Sequence, residues 1–84
     1  MLRISVVWTD DTGTEQTADG KLEDLSAGGM GVRVNTPILI GVGSKLVVQT
    51  PQGYFPMVVA RSSQTGRVCL MGLKKDVPEK PTGG

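Results

Sequence analysis

The sequence predicts an all-β fold: a small six-stranded antiparallel barrel over residues 1–75, followed by a disordered tail over 76–84. Three observations carry this. Apolar residues recur at every second position in several short runs, which is strand periodicity. Clusters of Gly, Pro, Asp and Asn separate these runs at intervals of roughly 8–12 residues, as in barrels and sandwiches. No stretch has helical spacing. An open sheet of short strands would also leave unpaired edges, and closure removes them.

The elements follow in order. Leu2, Ile4, Val6 and Trp8 alternate with Arg3, Ser5, Val7 and Thr9, giving the first strand. Asp10-Asp11-Thr12-Gly13 is a turn, where Asp bonds its own backbone. Thr14 to Ser26 reads as a polar strand that Asp19-Gly20 is expected to kink or bulge. Leu22, Asp24 and Ser26 share one face of it if it is regular, although Leu22 belongs inside. Either Leu22 packs on an outside partner or an irregularity near Glu23 shifts the register. Met30, Val32 and Val34 give a third strand.

Asn35 to Ser44 is too broken by Pro37, Gly41 and Gly43 for a strand, and it reads as a loop whose apolar residues cap one barrel end. Lys45 to Thr50 is a fourth strand, and Pro51-Gln52-Gly53 turns it into Tyr54 to Arg61. Gln64-Thr65-Gly66 turns again into Arg67 to Lys74. Trp8, Met30, Phe55, Met57 and Met71 are the expected large core residues. The tail carries Pro78, Pro81, Gly83 and Gly84 and almost nothing apolar, so it should be linker-like, as in a module taken from a longer chain.

Composition restricts the function. The 84 residues make one domain at most, and a chain of this size is marginally stable. The formal net charge is +1 and the nine Lys and Arg are scattered, which argues against a nucleic-acid polymer as partner. There is no histidine, and one cysteine makes neither a disulfide nor a zinc site. Cys69 lies in the apolar run Val68-Cys69-Leu70-Met71 and reads as a core residue. No run is apolar enough to span a membrane as a helix, no signal-peptide layout opens the chain, and a cytoplasmic location is expected. Ser26 has no evident base beside it, and no enzyme activity is expected.

The segment Asp24-Leu25-Ser26-Ala27-Gly28-Gly29 is the chemically directed one. Side chains at i and i+2 of a strand point to one face about 6.6–7 Å apart, so Asp24 and Ser26 can meet one small ligand. Gly28 and Gly29 remove bulk, permit positive φ and let a ligand approach the backbone. These residues could equally form and satisfy a turn.

The pattern Asp-x-Ser-x-x-Gly at Asp24, Ser26 and Gly29, followed by Met30-Gly31-Val32-Arg33-Val34, resembles the PilZ domain. The order of strands around it, ending in Met71-Gly72-Leu73, extends the resemblance over about residues 2 to 75. It implies a six-stranded barrel that serves as a receptor for cyclic di-GMP and signals to a partner protein or neighbouring domain. Asp24 and Ser26 would then meet a guanine edge, with Gly28 and Gly29 beside the ligand. The family's Arg-x-x-x-Arg motif is represented by Arg3, which lies 21 positions before Asp24 (24 minus 3). The first arginine of that pair would fall ahead of Met1. Arg33 and Arg61 read as outward solvated charges, with a substitute phosphate contact as the alternative for either. The second reading is a PilZ-like adaptor that binds protein without the nucleotide.

Overall fold

The computed structural model describes residues 2–36 and 40–76. It contains six strands: β1 (Leu2–Thr9), β2 (Glu15–Ser26), β3 (Gly29–Val34), β4 (Lys45–Thr50), β5 (Gly53–Thr65) and β6 (Val68–Lys75). All neighbouring pairs are antiparallel, in the closed order β1-β2-β3-β6-β5-β4, with β4 returning to β1. Because β6 occupies the second edge of β3, β4 cannot follow β3 as a hairpin. The Asn35–Ser44 connection therefore has to carry the chain from β3 across to β4 beside β1.

Period-two alternation fills the interior. Ile4 and Val6, Val32 and Val34, Leu46 and Val48, Met57 and Val59, and Cys69, Met71 and Leu73 all face inward and are buried. At about 1.5–3 kcal/mol for each large apolar side chain fully buried, these residues are the main source of stability. Trp8, Leu22 and Met30 pack against this core while remaining partly accessible. Cys69 is a buried free thiol within it.

The Asn35–Ser44 connection is tied to β5: Gly43 N–H donates to the Val59 carbonyl at 2.8 Å, and Val59 N–H donates to Ser44 at 2.9 Å. Gly43 adopts φ 91°, a conformation that favours glycine. Ile40 is buried in the core, as a cap should be, whereas Val42 is exposed. Ile38 and Leu39 lie outside the described residues, as do residues 77–84 of the expected tail. Asp76, the first residue assigned to that tail, still donates its N–H to the Pro56 carbonyl at 3.1 Å.

One expectation about irregularity is corrected, and of the two alternatives for Leu22 the irregularity near Glu23 is the one observed. The register of β2 runs unbroken through Asp19 and Gly20, so no kink occurs there. Gly20 is small for another reason: a Cβ on it would stand 2.6 Å from the Arg33 carbonyl oxygen. The break in β2 comes between Leu22 and Asp24, which pair with the adjacent residues Val32 and Gly31. Glu23 is thus the extra residue of a bulge, which reconciles an inward Leu22 with an outward Asp24. A second register shift lies between Val59 and Arg61 of β5, opposite the adjacent residues Leu73 and Gly72.

Phe55 is the misassigned core residue, at 40% exposure. It pairs with buried Val48, but its ring faces the open mouth of the barrel. With Leu2, Leu22, Leu25 and Met30 it lines an apolar mouth of about 500 Å³.

Candidate functional site

The two bulges define the candidate site. The register places Asp24 of β2 opposite Gly31 of β3, Gly31 opposite Gly72 of β6, and Gly72 opposite Arg61 of β5. One rung thus crosses four strands on the outer surface, with an acid at one end, an arginine at the other and two glycines between. Three strand spacings separate the ends, or about 14 Å between their Cα atoms.

Both charged residues owe their orientation to a bulge. Inward alternation along β5 runs Met57, Val59, and would next turn Arg61 into the core. The extra residue Ala60 sends it outward instead. Along β2 the inward residues Ala18, Gly20 and Leu22 would be followed by Asp24, and the extra residue Glu23 turns that carboxylate out. Re-aiming a side chain beside a functional site is a common use of a bulge.

The groove over this rung has a volume of about 690 Å³ and is lined by Asp24, Ser26, Gly28, Gly29, Gly31, Arg61 and Gly72, among others. Four of the five sequence-predicted site residues, Asp24, Ser26, Gly28 and Gly29, therefore come together. Arg3 does not join them. It pairs with Lys21 on β1–β2 and lines a separate depression of about 620 Å³.

The polar groups differ in what they already do. Among the described residues the Asp24 carboxylate makes no ion pair, and it receives no side-chain or turn hydrogen bond. Ser26 is partly occupied: its Oγ donates to the Gly29 carbonyl at 3.3 Å, bracing the Ala27-Gly28 turn between β2 and β3. The turn-bracing reading thus holds at Ser26, while among the described residues the Asp24 carboxylate is left free.

The glycines separate in the same way. None of the site glycines has positive φ. Gly29 is set by packing, since a Cβ there would run into the Leu73 carbonyl oxygen. Gly28 has nothing within 4 Å of a would-be Cβ. At Gly31 a Cβ would meet only the Asp24 Cβ, at 3.5 Å, an ordinary contact. The protein itself therefore does not require glycine at 28 or 31. Their smallness keeps the groove floor bare.

Arg33 is committed to an ion pair, its Nε lying 3.1 Å from Glu23 Oε1. It nevertheless stands in one outward row with Lys21 and Arg3, since Arg3 pairs with Lys21 and Lys21 with Arg33. Cations that are scattered in the sequence are thus gathered three residues along β2 from Asp24. Like charges set directly opposite each other destabilise a sheet. Sequence reasoning named Arg61 only as an alternative phosphate contact alongside Arg33, because beyond Val59 the strand β5 has no further large apolar residue to reveal the change of face. Searches against protein-family models, curated proteins and solved structures find no match to this chain.

Proposed function

We propose that the chain is a PilZ-like receptor module that binds cyclic di-GMP on its outer face and passes the signal to a partner. The observation that carries this reading is the unpaired, outward Asp24 carboxylate over a glycine floor. A carboxylate accepts the paired N–H donors of a guanine edge, and charge-assisted bonds of this kind are the strong ones. Gly28 and Gly31 leave room for a flat ring to lie against the backbone. The row Arg3, Lys21 and Arg33 lies beside the groove rather than in it and adds positive charge to that side of the barrel. Neither a histidine nor an activated nucleophile accompanies the carboxylate, and the module acts by binding rather than by catalysis.

Signal transfer has a natural route on this reading. Ser26, Gly29 and Met30 line both the groove and the apolar mouth of the barrel. A ligand that tightens the β2–β3 turn would alter the mouth, where Leu25 is 67% exposed. The same exposed mouth favours the second reading, an adaptor that docks protein there without the nucleotide.

Calorimetric titration with cyclic di-GMP separates the two. The receptor reading predicts saturable heat for the wild-type chain. It predicts affinity lowered roughly 10–150-fold in Asp24→Ala, the value of about 1.5–3 kcal/mol for a charged hydrogen bond. Absence of heat at high micromolar nucleotide rejects it in favour of the adaptor.

A further inference from the structure

We infer that Arg61, on β5, is the cationic partner of Asp24 in the ligand site, and that it binds the phosphodiester of the nucleotide whose guanine edge Asp24 holds. The inference rests on the receptor reading and extends it to a residue outside the Asp-x-Ser-x-x-Gly segment and outside the arginine pair. Three independent observations support it.

The register puts Arg61 on the same rung as Asp24, whereas Arg3 lines a different depression. The Ala60 bulge turns Arg61 out of the core at the rung where the Glu23 bulge turns Asp24 out. Finally, Gly72 acts as a seat. Arg61 Nε, Cγ and Cδ lie 2.7, 2.8 and 3.2 Å from where a Cβ on Gly72 would stand. The side chain therefore runs sideways across β6, in the direction of β3 and Asp24, and only glycine at 72 permits that course.

Among the described residues Arg61 has no ion-pair partner, and it does not close on Asp24. The carboxylate of Asp24 and the guanidinium side chain of Arg61, which lies over Gly72, thus stand on either side of the bare floor at Gly31. A ligand carrying N–H donors at one edge and an anionic group at the other matches that polarity. A guanidinium suits phosphate because its planar fork donates two parallel hydrogen bonds, which a lysine ammonium cannot reproduce.

The test compares cyclic di-GMP binding by the full chain and its variants, using calorimetry at two salt concentrations. Arg61→Ala should lose about tenfold or more in affinity and show a weaker salt dependence. Arg61→Lys should fall between Arg61→Ala and wild type. Gly72→Ala should unseat the arginine and approach the Arg61→Ala affinity, with thermal unfolding confirming that the barrel is intact. Arg67→Ala, in the β5–β6 turn, should bind as wild type. Wild-type affinity in Arg61→Ala overturns the assignment while leaving the receptor reading in place. An equal loss in Arg67→Ala also overturns it, by reducing the effect to net charge. No binding by the wild-type chain overturns both.

Discussion

Asp10 illustrates how much a single exposed side chain can organise. Its carboxylate accepts from Thr12 Oγ1 at 2.6 Å, Gln16 Nε2 at 2.9 Å, Thr12 N–H at 2.9 Å and Thr14 N–H at 3.0 Å. These bonds, led by the Thr12 hydroxyl, hold its pKa at about 2, below the ordinary 3.8. A depressed carboxylate pKa contributes stability that is complete above the unfolded value and is lost as pH falls through the folded one. The difference in melting temperature between wild type and Asp10→Ala should therefore be constant from pH 7 to 5, and should shrink from about pH 4 towards pH 2. A difference that does not change with pH would contradict this role. At the same scale Asp24 is the contrast, a carboxylate with no such partners, and that lack of partners makes it available to a ligand.

At the scale of elements, the strands were largely legible in the sequence and the bulges only in part. Alternation of Leu2, Ile4, Val6 and Trp8, and of Met30, Val32 and Val34, requires strands whatever surrounds them. The Glu23 bulge was readable as a conflict, because Leu22 and Asp24 cannot both obey one parity. The Ala60 bulge raised no such conflict. Beyond Val59 come Ala60, Arg61, Ser62 and Ser63, and with no large apolar residue there the sequence does not record which face is which. Gly20 misled for a related reason. A glycine required by a passing carbonyl looks, in sequence, like a glycine required by a kink.

The β2–β3 turn offers a direct check on these assignments of glycine. Gly29→Ala should destabilise the barrel by a few kcal/mol, as overpacking does, because its Cβ meets backbone that cannot swing aside. Gly28→Ala, in open space, should leave the unfolding midpoint within about 0.5 kcal/mol of wild type. Denaturant unfolding of both variants measures this. Similar midpoints would contradict the view that Gly29 serves strand packing and Gly28 serves the open groove.

At the scale of the whole molecule, closure of the barrel is what brings the distant residues of the candidate site together. Asp24 and Arg61 are 37 positions apart (61 minus 24) and belong to strands that never pair with each other. They meet on one rung only because β6 returns to lie between β3 and β5. No motif spacing can express that, since it depends on pairing order and on two bulges falling at the same height. Fold class and the Asp24–Gly29 half of the site could be read from local pattern. The Arg61 half, and the separation of Arg3 from the groove, required the register.

We propose the glycine-floored groove between the two bulges as a cyclic di-GMP site. Amide chemical shifts recorded during titration of the full chain with cyclic di-GMP test it most directly. Saturable shifts should concentrate at Asp24, Gly28, Gly31, Arg61 and Gly72, with smaller changes at Leu25 and Met30 on the mouth. Shifts confined to other faces of the barrel, or none at saturating nucleotide, would contradict it.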